Sequence, residues 1–212
     1  YKNILVLDYK SLYPSIMRTF CIDPLGLIEG LKKPDDAIEG FNQAQFSRTE
    51  HHLPELIREL AATRQMAKDK NQPMLSQAIK IIMNSLYGVL GSKGCRFYDP
   101  RLSSSITLRG HEIMQTTKHW IEEWGYNVIY GDTDSTFVKL DDDLNSLNCN
   151  EIGTKLAEKI NKRWQQVLQK DYKIDSFLEI EYETHYSPFF MPTIRGKTMG
   201  SKKRYVGKVE KN

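Results

Sequence analysis

The sequence has 212 residues, which is enough for one large domain or two small ones with a buried core. Hydrophobic residues make up 40% and charged residues 27%, as in ordinary globular proteins. No apolar run reaches the roughly 18 residues that a membrane span requires, so no membrane association is predicted. The net charge of +3 is compatible with a nucleic-acid binder that also holds an acidic metal centre.

The beginning of the chain and its cysteines bear on the kind of protein. The first residues have the pattern of a strand, without an initiator methionine or a signal peptide, which predicts a piece of a longer protein. The three cysteines, Cys21, Cys95 and Cys149, lie far apart and show neither a disulfide framework nor the CxxC spacing of a metal site. A reducing cytoplasm is therefore the expected compartment.

The first predicted elements are a strand, a helix and an irregular segment. Residues 4–8 form an apolar run that is typical of a buried strand. Residues 11–20 predict a helix with Pro14 near its first turn, where proline is tolerated. Proline and glycine occur four times within residues 24–34, so the segment 21–44 is predicted to be irregular.

Two helices joined by a short turn are predicted next. From about residue 54, apolar residues recur at three- and four-residue spacings, and the same spacing places Arg64 and Lys68 on one face. The turn Asn71-Gln72-Pro73 ends this helix, and a second helix is predicted over residues 74–87. Together the two helices predict an antiparallel αα-hairpin.

The rest of the chain mixes helices and strands without a regular βαβ order. The predicted elements are a helix over residues 102–124, strands over 126–130 and 135–140, a helix over 149–169, a strand over 177–183 and a final basic segment. This mixture predicts an α+β fold, in which a mostly antiparallel sheet is backed by helices on one face and the αα-hairpin projects from it.

Two of the predicted strands end in carboxylates. Asp8 ends the first strand, and Asp132 and Asp134 lie in the tight turn that follows residues 126–130. Partly buried like charges are unfavourable unless a cation neutralises them, and Mg²⁺ prefers such oxygen ligands. Two such ions can activate an attacking oxygen and stabilise a leaving one, so the carboxylates predict a two-metal site.

Simpler interpretations of these carboxylates stay open at this point. Asp-Thr-Asp is ordinary turn chemistry, and an aspartate at a strand end needs no special function. The rival run Asp141-Asp142-Asp143 lies in a polar loop, and Ser146 and Ile152 stand where an EF-hand needs glycine and glutamate. That run is interpreted as solvated surface.

Four strings resemble motifs of family B DNA polymerases and occur in the same order as in that family. Residues 8–16, DYKSLYPSI, resemble motif A, residues 80–88, KIIMNSLYG, resemble motif B, and residues 130–135, YGDTDS, resemble motif C. Residues 202–205, KKRY, are similar to the element that follows the palm domain. The resemblance covers nearly the whole chain. It implies a DNA-directed DNA polymerase in the bacterial cytoplasm, associated with the nucleoid.

The resemblance also implies a role for each motif residue. Asp8 and Asp134, with Asp132 ranked third, would bind two Mg²⁺ ions, for which Mn²⁺ can substitute. The backbone carbonyl of Tyr9 would complete one of these sites. Lys80 is implied in catalysis, because cations that converge on the triphosphate neutralise charge in phosphoryl transfer. The residues implied to bind the dNTP are Tyr9, Ser11, Leu12, Tyr13, Arg64, Lys68, Lys80, Asn84 and Tyr87.

Further implied contacts concern the sugar and the DNA. The ring of Tyr13 would lie beneath the sugar and leave no room for a 2′-hydroxyl. An acidic residue of strand 177–183 would lie near the metals, and the choice among its glutamates stays open. The residues implied to bind primer–template DNA, largely independently of sequence, are Gly88, Lys202, Lys203, Arg204 and Tyr205. The three glutamates are Glu179, Glu181 and Glu183.

The implied domains are a palm in two parts, residues 1–45 and 92–212, and fingers over residues 46–91. The exonuclease, N-terminal and thumb domains of the family have no room in this chain, so the isolated chain is predicted to extend primers weakly or not at all. A sliding clamp would bind through regions outside this chain. Two other functions stay open: a basic nucleic-acid-binding module without catalysis, and another palm-type two-metal enzyme, such as a nucleotidyl cyclase or nuclease.

Overall fold

The computed structural model describes residues 1–192 and 203–210, and the chain divides into two compact units. The sheet unit comprises Tyr1–Lys10, Glu112–Trp164 and Glu179–Asn212, and the helical unit comprises Ser11–His111 and Gln165–Leu178. The predicted palm and fingers divide the chain differently, at residues 45 and 91, and that division stays a prediction.

Helices and strands are interspersed along the chain. The strands are β1 (Ile4–Tyr9), β2 (Ile38–Glu39), β3 (Gln45–Phe46), β4 (Asn127–Gly131), β5 (Ser135–Lys139), β6 (Ile180–Phe190) and β7 (Val206–Val209). The helices are α1 (Leu12–Thr19), α2 (Pro24–Lys32), α3 (Leu53–Asp69), α4 (Pro73–Leu90), α5 (Pro100–Glu123) and α6 (Ser146–Val167). Within the described residues, five strands form one antiparallel sheet in the order β4-β5-β1-β6-β7. This sheet confirms the predicted α+β fold.

The central strand β1 has two different faces, because successive side chains of a strand alternate. Leu7 and Tyr9 lie on the face that α5 and α6 cover. There the Tyr9 hydroxyl lies 2.6 Å from Thr117 Oγ1 and accepts a 2.7 Å hydrogen bond from Trp164 Nε1. Burial raises the pKa of Tyr9 above its usual range. Val6 and Asp8 lie on the opposite face of β1.

That opposite face carries a cluster of aromatic rings beside the carboxylates. Val6 pairs with Phe137 across β1 and β5, and both are buried with Phe189. The ring centroid of Tyr205 lies 5.0 Å from that of Phe137 and 5.4 Å from that of Phe189. Tyr205 therefore holds the segment before β7 against the same face of the sheet as Asp8.

One prediction for the helical unit is wrong: the segment 21–44, expected to be irregular, contains α2 and β2. Helix α2 begins because the Asp23 carboxylate accepts a 2.7 Å hydrogen bond from Gly26 N, and Pro24 occupies the first turn, where its missing N–H is not needed. A Cβ on Gly30 would lie 2.3 Å from the backbone of β3. The prolines and glycines that predict a loop in fact start this helix and let it pack closely.

The predicted αα-hairpin is confirmed. Helices α3 and α4 pack against each other and are joined by residues 70–72. Their buried side chains include Ile57 and Ala67 on α3 and Ile79 and Met83 on α4.

Three further features concern the ends of the later elements. Strand β6 runs on to Phe190, beyond the predicted residue 183, and β7 lies in the segment predicted only as basic. Helix α6 ends in a π-helical turn over Leu168–Tyr172.

Within residues 1–192 and 203–210, no helix has the length and apolarity that would let it cross a membrane.

Candidate active site

Asp8 and Asp134 are brought together by the pairing of β1 with β5. Asp8 lies opposite Ser135 in the antiparallel register, and Ser135 Oγ donates a 2.5 Å hydrogen bond to Asp8 Oδ1. The Tyr9 N–H donates a 2.9 Å hydrogen bond to the backbone carbonyl of Asp134. Motifs A and C, more than a hundred residues apart in the sequence, therefore meet at the end of one strand pair.

The carboxyl group of Asp8 is half-buried among other carboxylates. Burial is the main cause that raises the pKa of Asp8 to about 6, and the charges of Asp134, Glu183 and Glu181 also raise it. The hydrogen bond from Ser135 acts in the opposite direction. A cation held by these oxygens would relieve their repulsion, so the donor set suits a hard divalent ion such as Mg²⁺.

Asp132 lies in the turn between β4 and β5. Its Oδ1 accepts a 2.8 Å hydrogen bond from the Thr133 N–H, and Lys203 Nζ lies 3.7 Å from the same oxygen. Among the described residues, no three His, Cys, Asp or Glu side chains are grouped closely enough to form a metal centre by themselves. Metal binding by Asp8, Asp132 and Asp134 therefore stays a prediction.

Lys10 and a bulge distinguish the three glutamates of the predicted strand 177–183. Lys10 Nζ lies 2.6 Å from Glu179 Oε1 and 3.0 Å from Glu181 Oε2, so one cation neutralises both carboxylates. The register between β1 and β6 shifts at Glu183, which is the unpaired residue of a bulge. The charge of Glu183 reaches Asp8, and no ion pair of Glu183 is found in the described part of the chain. Glu183 is therefore the glutamate best placed to join the aspartates.

Two residues of this site, Ser135 and Lys10, are missing from the predicted set. Both belong to the motif strings, and that membership was their only signal in the sequence. The sequence does not show which side chains they meet, because the antiparallel pairing that sets Ser135 and Glu181 on either side of Asp8 joins distant segments.

The helical unit carries four side chains that the resemblance assigns to the triphosphate, namely Arg64, Lys68, Lys80 and Asn84. Lys80 and Asn84 are exposed one turn apart on α4, and Arg64 and Lys68 lie one turn apart on α3. The Nε atom of Arg64 is buried and has no hydrogen-bond partner among the described residues. Arg58, also on α3, instead pairs with Glu55 at 2.7 Å. Within the described residues, the four assigned side chains make no ion pair of this kind.

The rings of Tyr13 on α1 and Tyr87 on α4 pack together, with centroids 4.7 Å apart and planes inclined at 53°. A Cβ on Gly110 would lie 3.3 Å from Tyr13 Cε1, so glycine there leaves room for the ring. Gly88, next to Tyr87, is different, because a Cβ there would meet no atom of the described part of the chain within 4 Å. Packing among the described residues therefore does not require glycine at position 88.

The other motif A residues could contact a nucleotide mainly through their backbone. The side chains of Tyr9 and Leu12 are buried, and Ser11 adopts a left-handed conformation, with φ of 48°, immediately before α1. Their contacts with a metal or a dNTP stay predictions.

Three of the residues assigned to DNA, Lys203, Arg204 and Tyr205, belong to the sheet unit, where Lys203 contacts motif C. The Lys203 N–H donates a 2.9 Å hydrogen bond to the hydroxyl of Tyr130, Arg204 is exposed, and Tyr205 packs into the aromatic cluster. Lys202 lies outside the described residues. The DNA contacts of this segment stay predictions.

Comparisons with known proteins agree with the motif strings. The family model described as DNA polymerase family B matches residues 1–212. The chain is 55% identical over 212 residues to DNA polymerase II of Escherichia coli (strain K12), which covers 99% of this chain and 27% of that protein. It is 32% identical over 210 residues to a DNA polymerase of Thermococcus gorgonarius, which covers 91% of this chain and 25% of that protein. The solved family B DNA polymerase of the archaeon Pyrobaculum calidifontis has a similar fold, with a TM-score of 0.64 and 24% identity over 99% of this chain and 26% of that one.

These matches confirm the expected class. Because the family model matches all of it, the chain belongs to DNA polymerase family B. The strings RTF at residues 18–20, CRF at 95–97 and MPTIRG at 191–196 predict a likeness to bacterial DNA polymerase II in particular, and the 55% identity confirms this. The chain spans about a quarter of the length of the two relatives described above.

Proposed function

We propose that the chain is the palm-and-fingers catalytic core of a DNA-directed DNA polymerase, which adds dNMP from a dNTP to a primer 3′-OH. The observation that carries this proposal is the meeting of Asp8, Ser135 and Asp134 at the paired ends of β1 and β5. Carboxylates crowded around a half-buried carboxyl group suit divalent cations, and phosphoryl transfer requires such charge neutralisation. The DNA polymerases to which the chain is similar support the choice of reaction.

In this proposal the carboxylates hold two Mg²⁺ ions, or Mn²⁺ in their place. Asp8 and Asp134 are the principal ligands, with Asp132 and the Tyr9 carbonyl completing the set. The bound ions supply activation of the attacking oxygen and stabilisation of the leaving one. Ser135 fixes the orientation of Asp8 by its hydrogen bond, and Lys10 limits the negative charge that β6 adds to the site.

The remaining roles are assigned to residues of the motif strings and of the α3–α4 hairpin. Lys80, Asn84, Arg64 and Lys68 are assigned to the triphosphate, because cations there neutralise the transferring phosphates. The ring of Tyr13 is assigned to the sugar, and Gly88 to the passage of DNA close to the backbone. Lys202, Lys203, Arg204 and Tyr205 are assigned to primer–template DNA. A sliding clamp, bound outside this chain, and a cytoplasmic location at the bacterial nucleoid complete the proposal.

The test is Mg²⁺-dependent dNTP incorporation by full-length protein that carries Asp134→Asn. We expect incorporation to fall by more than about a hundredfold with unchanged DNA affinity, because a metal ligand is lost and the phosphate contacts are kept. The matched control is Asp143→Asn, which removes an exposed carboxylate in the loop after β5.

Four other results would refute the proposal in different ways. If Asp134→Asn incorporates dNTP at the wild-type rate, the proposed metal-binding role of the carboxylates is wrong. Consumption of nucleotides without a primer would indicate a cyclase. Degradation of DNA that is lost in Asp134→Asn, without any incorporation by the wild type, would indicate a nuclease. DNA binding by the wild-type protein without any incorporation would indicate a binding module.

A further inference from the structure

The helical unit contains a cavity of about 330 Å³ that none of the assignments above uses. Its charged lining residues are Arg18 on α1, Arg48 after β3, and Lys173 and Asp175 after the π-helical turn. Three cationic side chains share the lining with a single carboxylate, and the carboxylate of Asp36, outside the lining, lies 3.9 Å from Arg48 Nε. Positive charge therefore still exceeds negative charge among these residues.

Arg18 has an N–H group without a partner among residues 1–192 and 203–210. Its Nε atom is buried, and no hydrogen-bond acceptor for it is found in the described part of the chain. The guanidinium carbon lies 3.7 Å from the ring centroid of Phe177, which supports the cation from one side. Burial and the nearby charge of Arg58 lower the pKa of Arg18. A buried donor without an acceptor costs free energy, and the charge of an anion bound beside the guanidinium would lessen that cost.

The walls of the cavity are tied together by hydrogen bonds. Arg48 Nε donates to the carbonyl of Asp36 over 3.1 Å, and its Nη1 donates to the carbonyl of Lys173 over 3.4 Å. The Phe177 N–H donates a 3.0 Å hydrogen bond to Thr19 Oγ1. These bonds fix the Arg48 guanidinium and the backbone around the cavity, as a preformed binding site requires.

We propose that this cavity is a phosphate-binding site, with Arg18, Arg48 and Lys173 as its cations. A guanidinium matches two oxygens of a phosphate, and a flexible ammonium adds a point charge. The choice of phosphate among anions rests on the proposed function, in which every substrate carries phosphates. The phosphate belongs either to single-stranded DNA or to a free nucleotide, and none of the three cations is among the residues already assigned to DNA or dNTP.

Protection of arginine from phenylglyoxal, followed by peptide mass spectrometry of the full-length protein, tests the site. Oligothymidylate and dTTP are the two probes, and they distinguish the two sources of phosphate. We expect one of them to protect Arg18 and Arg48. Arg101, which pairs with Asp99 at 2.7 Å in the same unit, should stay unprotected. If neither oligothymidylate nor dTTP protects Arg18, the proposal is overturned.

Two variants sharpen the test. Lys173→Asn removes a cation and keeps a residue that tolerates the φ of 56° at this position, so the half-protecting concentration should rise about tenfold. Asp175→Asn removes the opposing carboxylate, so that concentration should fall about threefold, a gain that misfolding cannot imitate. Asp171→Asn, on the π-helical turn outside the cavity lining, is the matched control. Unchanged protection in both Lys173→Asn and Asp175→Asn would overturn the proposal.

The Asp134→Asn variant separates this inference from the proposed function. It is expected to lose incorporation and to keep the protection of Arg18, because the two sites share no residue. A wild-type protein that incorporates dNTP without protection of Arg18 would refute the cavity and leave the polymerase assignment intact.

Discussion

Ser135 Oγ donates a 2.5 Å hydrogen bond to Asp8 Oδ1 across the ladder of β1 and β5. On the other side of β1, Asp8 lies opposite Glu181 of β6. One neighbouring strand thus stabilises the Asp8 carboxylate with a donor, and the other opposes it with like charge. The ionisation of Asp8 depends on this balance, which can be changed one residue at a time.

Ser135→Ala removes the donor, so the pKa of Asp8 is expected to rise above its value of about 6. Carbon NMR titration of the aspartate carboxyl groups in full-length protein without divalent cations measures this directly. Thr133→Ala is the control, because its hydroxyl lies 3.4 Å from Asp132 Oδ1 and makes no hydrogen bond to Asp8 among the described residues. A lower or unchanged pKa of Asp8 in Ser135→Ala would contradict the prediction.

Asp8→Asn is expected to stabilise the protein above about pH 6 when divalent cations are absent. The folded-state pKa of Asp8, about 6, is raised above its ordinary value of 3.8. The folded state therefore binds the proton more tightly, and the free energy of unfolding falls as the pH rises between these two values. The variant lacks this fall. After allowance for solvent screening of a half-buried group, the gain is about 1 kcal/mol at pH 7.

Thermal unfolding of wild type and Asp8→Asn over pH 4–8 measures this difference, with Asp143→Asn as the exposed control. Addition of Mg²⁺ should then raise the melting temperature of the wild type more than that of Asp8→Asn, because a ligand that binds the folded state stabilises it. Equal Mg²⁺ responses in the two proteins would speak against Asp8 as a ligand.

The motif strings carry most of what the sequence says about the site, but not its pairings. DYKSLYPSI and YGDTDS predict that Asp8 and Asp134 act together, whereas the register that sets Asp8 opposite Ser135 joins segments distant in sequence. The alternation of side chains along a strand predicts that Glu179, Glu181 and Glu183 lie on the same face of the sheet. The bulge in β6 and the ion pairs of Lys10 tell them apart, and both depend on tertiary contacts.

The sequence predicts the fold correctly where apolar residues recur regularly over a long segment. The prediction fails where local signals for a helix and for a loop conflict. The helices of the αα-hairpin have clear spacings and breaks. Helix α2 was missed because Pro24, Gly26 and Gly30 are loop residues by composition, although Asp23 before Pro24 is also a helix-start signal. The segment forms a helix rather than a loop because it packs closely on β3, and this packing requires glycine at position 30.

Gly88→Ala is expected to stabilise the fold and impair activity together. A Cβ at position 88 meets no described atom within 4 Å, and alanine in a helix is favoured over glycine by up to about 1 kcal/mol. If DNA passes close to this backbone, the added methyl group obstructs it and lowers incorporation. Chemical denaturation and primer extension measure the two effects, with Gly94→Ala in the following loop as control. Increased stability with unchanged incorporation would remove Gly88 from the DNA-binding set.

Tyr13→Ala is expected to admit ribonucleotides. The Tyr13 ring packs at 4.7 Å from Tyr87 and fits against Gly110, so it is held in one place and can act by shape. Its loss should raise the ratio of rNTP to dNTP incorporation by roughly tenfold or more, the scale on which a pocket discriminates small groups. Tyr13→Phe keeps the ring and should keep the discrimination. Tyr87→Ala removes the supporting ring and should give an intermediate ratio, because the Tyr13 ring then has more freedom to move. If Tyr13→Ala and Tyr13→Phe discriminate equally well, the ring is not the gate, and its contact with Tyr87 serves only to pack α1 against α4.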